Sequence, residues 1–275
     1  MAAHTGPTMA RRQLGRRLRR LRTEAGKTLD DVAEAHVASL TKLWRIETGR
    51  SSTKVGDVLA LARLYEIPPS TTEELVTLAE ATRGTGFQQD KITNISEWGG
   101  MYGELEIATS SLRIYNCQLV PGLLQTPEYA RAVTEVNRSL GPQAVEQRVA
   151  FRLQRQQAFF GRPEPGQLHA VLAVGVLDLV VGSAATMESQ YAHLREVAAR
   201  PNVNVRVLAR TNGVHAGMRG DFVIMDFADE DDPPLVYLES LIGSRYLERP
   251  EHLAAYRNAF DRISAQAVPL EEYQL

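Results

Sequence analysis

The sequence is nearly without cysteine. Cys117 is the one cysteine among 275 residues. That excludes an intramolecular disulfide framework and a multi-cysteine zinc site, and it fits a reducing compartment. Long apolar runs are also absent. The most apolar stretch, Leu168 to Val181, carries His169 and Asp178 and falls short of the roughly 18 residues a spanning helix needs. The N-terminus, MAAHTGPTMARR, has no apolar segment behind its charges, so it does not read as a secretory signal. The expected location is the cytoplasm, at the nucleoid. Phosphate-cradling glycine loops are missing, as is a His-Glu-x-x-His pattern. No cofactor, metal site or catalytic residue is assigned.

What is present is ordinary in bulk: 44% hydrophobic and 23% charged residues, with a net charge of −2. Such a composition supports a sizeable core, and the length suggests about two domains. The charge, however, is split. Residues 1–83 hold fourteen basic and ten acidic side chains, or +4, and the remainder holds seventeen against twenty-three, or −6. Seven of the twelve residues 11–22 are arginine. A basic segment of this kind points either to a polyanionic partner or to a solvated helix face.

Periodicity gives the organisation. Residues 1–9 read as a disordered tail. Residues 10–83 read as five short helices and no strand. Leu14, Leu18 and Leu21 form one stripe of the first helix. Thr28 caps the second, with Leu29, Val32, Ala33 and His36 turned inward. Ser39 caps the third, whose inner face is Leu40, Leu43 and Ile46 and whose end is Thr48-Gly49. Val55, Val58, Leu59, Ala62 and Tyr65 mark the fourth. Ser70-x-x-Glu73 and Thr71-x-x-Glu74 are capping boxes for the fifth. Residues 84–97 read as a linker, and residues 98–275 as a mixed α/β (α+β) domain.

In that second domain, helices are expected over Trp98–Ala108, Thr126–Arg138, Gln143–Phe160, Ala184–Ala199 and Glu251–Ala265. Strands are expected at His169–Val174, Asp178–Val181, Asn202–Ala209, Asp221–Phe227 and Leu235–Glu239. Leu112–Tyr115 is either a strand or a helix end. Val120 to Tyr129 reads as a structural joint: a Pro121-Gly122 turn, a Leu123-Leu124 plug and a Thr126-Pro127 helix start. Arg148, Arg152 and Arg155 share a helix face and either bind an anion or pair with the carboxylates of residues 229–232. His215 lies in a Gly-rich loop and reads as a turn residue.

Two helices joined by a tight turn, the second polar on its outer face, make a helix-turn-helix arrangement. Val32, Ala33, Leu43 and Ile46 form its scaffold. Ser39, Thr41, Lys42 and Arg45 offer groups to base edges. Arg50, Lys54 and the arginines of the first helix offer cations to phosphates. Residues Leu14 to Pro68 resemble the lambda-repressor-like, Cro/C1-type (xenobiotic-response-element) domain. Ser39-Leu-Thr-Lys-Leu-Trp-Arg-Ile-Glu-Thr-Gly49 matches its recognition-helix signature, and Thr28-Leu-Asp-Asp-Val-Ala-Glu34 its first motif helix. The turn glycine usual in that family is Val37 here, which implies a turn without a left-handed residue.

The resemblance implies that Ser39, Thr41, Lys42 and Arg45 face double-stranded DNA. Arg16, Arg19, Arg20, Thr28, Arg50 and Lys54 are the phosphate candidates. Trp44 reads as a packing residue at the domain's rim. Glu47 reads as a tie to a backbone amide or an arginine.

The segments Val120–Tyr129, Arg152-Leu-Gln-Arg155-Gln156, Arg200–Leu208, Gly213–Gly217 with Gly220-Asp-Phe222, and Val236–Ser240 resemble, in this order, the C-terminal domain of antitoxin-like transcriptional regulators of actinobacteria. That likeness implies a regulator rather than an enzyme, commonly encoded beside a small partner protein. As a helix-turn-helix protein the chain is expected to act as a homodimer on two half-sites, with the C-terminal domain supplying dimerisation. Two other readings compete. One is an antitoxin that chiefly neutralises its partner, and the other is a C-terminal domain that senses a ligand.

Overall fold

The computed structural model describes residues 9–82, 95–228, 232–241 and 243–273. The chain divides into two compact units, Met1–Ile92 and Thr93–Leu275. The expected tail, apart from Met9, and the expected linker, apart from residues 95–97, lie outside the described residues. So do residues 229–231 of the acidic loop.

The first unit is helical: α1 Met9–Glu24, α2 Leu29–Glu34, α3 Leu40–Glu47, α4 Val55–Leu64 and α5 Pro69–Ala81. Its core gathers Leu14 and Leu18 of α1, Val32 of α2, Leu43 and Ile46 of α3, Val58 and Leu61 of α4, and Leu75 and Ala79 of α5. Each pair recurs at three or four residues, so each helix contributes one stripe.

Several expectations are corrected. Leu40 and Leu59 are exposed. Leu59 sits one position off the buried stripe of α4, whereas Leu40 keeps the spacing of the α3 stripe but is the first residue of that helix, at its open end. His36 does not continue the inner face of α2. That helix ends at Glu34, and His36 is exposed with φ 57°. The helix-helix turn therefore does contain a left-handed residue, one position before Val37. Histidine is among the side chains that enter this region most readily. The capping boxes at Ser70 and Thr71 do not form. α5 starts earlier, with Pro69 at its first turn, and Thr72 Oγ1 donates to the carbonyl of Pro68 (3.0 Å). Proline at that position sacrifices no helical hydrogen bond.

The second unit is α/β. Its helices are α6 Ile95–Ala108, α7 Pro127–Glu135, α8 Pro142–Phe160, α9 Gly175–Asp178, α10 Ala184–Ala198 and α11 Pro250–Gln266. Its strands are β1 Thr109–Asn116, β2 Gln167–Ala173, β3 Val203–Leu208, β4 Phe222–Phe227, β5 Leu235–Ser240, β6 Gly243–Leu247 and β7 Val268–Pro269. They form one sheet in the order β6-β5-β4-β1-β2-β3-β7. β1, β2 and β3 are parallel, joined by helical crossovers, and the other pairs are antiparallel.

Side chains alternate between the two faces of the sheet. Tyr115, Val171, Phe222, Ile224 and Val236 pack under Leu253, Phe260 and Ile263 of α11. The alternation of Val203, Val205 and Val207 is real, and all three are buried.

Leu112–Tyr115 resolves as the centre of β1. Asp178–Val181 is not a strand: the chain leaves β2 through the single turn of α9, and Leu179 and Val180 are exposed. α7 ends at Glu135 rather than Arg138, and α6 begins inside the stretch read as linker.

The joint at residues 120–129 is built as expected, and more tightly than composition suggests. Leu123 and Leu124 are buried. Thr126 Oγ1 caps α7 by accepting from Tyr129 N (3.2 Å). Gln190, fully buried on α10, accepts from Thr126 N (2.9 Å) and donates to Leu124 O (2.6 Å). Among the described residues, no helix is long and apolar enough to cross a membrane.

Candidate nucleic-acid interface

α3 is short, and its ends are secured locally. Ser39 Oγ accepts from Lys42 N at the start (3.3 Å). At the end, Gly49 takes φ 71° and its N–H donates to Ile46 O (3.0 Å), while Arg50 N donates to Arg45 O (2.8 Å). A left-handed residue just past the last turn satisfies the helix's open carbonyls, and glycine does so without strain.

Each letter of the Arg-Ile-Glu-x-Gly run then has a physical task. Ile46 enters the core. Gly49 ends the helix where α1 passes close by: a Cβ there would lie 3.0 Å from Arg12 N. Glu47, only 7% exposed, accepts two hydrogen bonds from the Arg22 guanidinium, at 2.7 and 3.0 Å. The same guanidinium donates to Lys27 O (2.8 Å). A bidentate charged pair of this kind is directional, and it ties α3 to α1 and to the turn before α2. The Glu47 hydrogen bond holds Arg22 even more firmly in its charged form, against the opposing effect of burial.

α1 and α3 meet at Gly15. A Cβ on that residue would lie 2.5 Å from Ile46 O and 2.6 Å from Glu47 O, so only glycine lets the two backbones approach so closely.

With Leu43, Ile46 and Glu47 buried, the remaining residues of α3 face solvent. Thr41, Lys42, Trp44 and Arg45 are exposed, as is the N-cap Ser39. The Lys42 ammonium pairs with Asp57 Oδ1 in the first turn of α4 (2.7 Å), which brings the start of α4 beside α3. Lys54, the exposed N-cap residue of α4, lies one turn from that contact. Arg50 places its guanidinium 4.9 Å from the centre of the Trp44 ring. Trp44 is 38% exposed, so it is a rim residue whose ring carries a cation. Ser39, Thr41, Lys42, Arg45, Arg50 and Lys54 thus share one region of the unit.

The remaining phosphate candidates are placed differently. Thr28 is committed to a capping box: its Oγ1 accepts from Asp31 N (3.1 Å), and its own N–H donates to Asp31 Oδ2 (2.7 Å). Those bonds hold the Asp31 carboxyl below its usual range. On α1, Arg20 approaches Glu24 (3.6 Å), and Arg19 is exposed and Arg16 half-buried.

The basic run is therefore of mixed purpose. Arg22 holds Glu47, Arg17 pairs with Glu74 of α5, and Arg11 Nε donates to Thr82 O (3.3 Å). Sequence reasoning expected Glu47 to hold a backbone amide or an arginine and left the choice open; it missed the partners of Arg17 and Arg11, as it missed Asp57. They lie far away in the chain, and no local pattern announces them.

Neither a curated protein nor a solved structure matches the chain. Residues 13–75 match a family model described as a helix-turn-helix domain, which covers α1 to the middle of α5. The second unit matches a domain of unknown function, DUF5753, over residues 101–272. That match spans more than half of the sequence, and the chain belongs to the DUF5753 family, with a helix-turn-helix domain at its N-terminal end.

Proposed function

We propose that the chain is a sequence-specific, DNA-binding transcriptional regulator whose α3 enters the major groove. The observation that carries this reading is the division of α3. One face is locked to α1 by Leu43, Ile46 and Glu47, and the other presents Thr41, Lys42 and Arg45 to solvent. A rigidly held helix with exposed donors is what base-edge readout requires.

Arg45 is the leading candidate for a guanine edge, and Arg50 and Lys54 for the flanking phosphates. Lys42 must leave Asp57 to reach a base. A solvent-exposed pair of that kind is worth no more than about 1 kcal/mol, so DNA can compete for it. Arg16, Arg19, Arg20 and Thr28 belong to the outer phosphate set. The protein acts as a homodimer on two half-sites about 34 Å apart, one helical turn of DNA. Its second unit takes the regulatory input, a small partner protein or a ligand. The likeness to antitoxin-like regulators supports the partner.

An electrophoretic shift assay over the DNA upstream of the chain's own gene tests the reading. Arg45→Ala is expected to weaken specific binding about 5- to 150-fold, the equivalent of about 1–3 kcal/mol for a good base contact. Affinity should also fall linearly on a log–log plot against salt, and Arg50→Ala should make the slope shallower. Specific binding unchanged in the Arg45→Ala, Lys42→Ala double variant would remove α3 from the interface.

A further inference from the structure

Three segments that stand out in the sequence of the second unit are scattered along it, yet they meet. They are the joint at residues 120–129, the Arg152–Gln156 stretch of α8 and the Val236–Ser240 stretch of β5. Gln156 Nε2 donates to the carbonyls of Gly122 (2.8 Å) and Gln125 (2.9 Å). Arg152 donates to Oε1 of Gln125. Glu239, at the end of β5, is close enough to bear electrostatically on both Arg152 and Arg155.

The topology explains the meeting. The joint follows the carboxyl end of β1. β4 runs antiparallel to β1, and β5 antiparallel to β4, so β5 finishes at that same edge of the sheet. The carboxyl edge of a parallel strand, where the chain order reverses, is where sheets of this class hold their ligands. Here the reversal is at β1, flanked by the crossover-joined β2 on one side and by β4 on the other.

The charges at this edge are unequally matched. Arg155 is neutralised: its Nε and Nη2 both donate to Glu106 Oε2 of α6, at 2.8 and 2.5 Å. Arg152, one turn earlier and half-buried, has a neutral amide as its hydrogen-bond partner among the described residues. The Arg155 cation lies nearby, and the exposed Glu239 forms no ion pair with Arg152 among the described residues. Partial burial of a guanidinium is costly, and the carboxylates of Glu239 and Glu106 act on Arg152 only through space. Its fork of donors suits a planar pair of oxygens.

We propose that Arg152, oriented by Gln125 at the carboxyl edge of β1, binds the oxyanion of a small ligand, a carboxylate or a phosphate group. Glu239 forms the far side of the site. Glu239 sets its selectivity by repelling ligands of high negative charge. This site is separate from the α3 surface and stands whether or not that surface binds DNA.

The test uses the full chain labelled at arginine with nitrogen-15. The Nε–Hε resonance of Arg152 is identified by its loss in Arg152→Lys and, independently, in Arg152→Gln. Inorganic phosphate and citrate are titrated separately at constant ionic strength. The expected result is a saturable shift of that resonance with at least one of them. A response to phosphate alone identifies a phosphoryl ligand, and a response to citrate alone a carboxylate. Glu239→Gln should lower the half-saturating concentration about fivefold, since one like charge is removed. The proposal is overturned by no shift with either anion. It is equally overturned by a shift that rises without saturating, or that merely parallels those of Arg45 and Arg50.

Discussion

Glu47 shows how one buried carboxylate organises the candidate DNA-reading helix. It lies at the inner end of α3 and engages Arg22 with both oxygens. Removing one partner of a buried pair leaves the other charge without compensation and costs about 3 kcal/mol. Glu47→Ala is therefore expected to lower the unfolding free energy of the first unit by about that much in a urea titration, whereas the same substitution at exposed Glu24 should do little. Asp57 makes a contrasting prediction. Its carboxylate holds Lys42 and adds negative charge beside the proposed DNA face. Asp57→Asn should tighten DNA binding severalfold at low salt, chiefly by faster association, with little change in unfolding. The Glu47 tie was readable in outline from the sequence, which requires a reason for a carboxylate on an apolar face. Its partner was not, because Arg22 is one of seven arginines and its selection depends on where α1 crosses α3.

Among the elements, α1 and α3 illustrate close approach. Gly15 is a poor choice for a helix interior by propensity, costing roughly 1 kcal/mol relative to alanine. It is there because the carbonyls of Ile46 and Glu47 occupy the space of a Cβ. Gly15→Ala should destabilise the first unit by about 1–3 kcal/mol in spite of its better helix propensity. It should also weaken DNA binding by displacing α3, as a shift assay beside a urea titration would show.

The elements that were legible in the sequence have strong local signatures. Ser39 and Thr28 are caps, Thr126-Pro127 starts α7, and the valines of β3 alternate. The failures are as instructive. β6, Gly-Ser-Arg-Tyr-Leu, has no alternation to detect and exists because β5 offers it an edge. The turn of the helix-turn-helix takes its left-handed residue at His36 rather than at the glycine position of the signature. Ser70 and Thr71 carry correct capping spacing, yet Pro69 starts the helix ahead of them.

For the whole molecule, the near-neutral charge conceals two units of opposite sign. This predicts an unequal response to salt. DNA binding should fall steeply with ionic strength, while the stability of the second unit should hardly change. Acid should act on the second unit. His169 and His193 are half-buried, and burial lowers the pKa of each; Arg113 adds to the effect at His169 and Arg200 at His193, where Glu196 opposes it. Below about pH 6.5 the unfolded chain binds protons at these histidines that the folded unit binds less readily. Their contribution to stability is therefore complete above that pH and is lost as pH falls below it. Thermal unfolding between pH 7.5 and 5 should show a falling midpoint, and His193→Asn should flatten the slope.

By itself the sequence determined the helical first domain, the α/β second one, the charge split between them and the helix that faces outward as a candidate DNA reader. All of these follow from residues within a few positions of one another, where periodicity, caps and turn chemistry act. Only the tertiary structure decided which arginines of the basic run hold the domain together, why Gly15 must be glycine, and where the scattered motifs of the second unit meet. Arg22 finds Glu47 25 residues away, and Thr126 finds Gln190 64 residues away. Partners at such separations are chosen by how helices cross and strands order, and no local pattern in the chain records that choice.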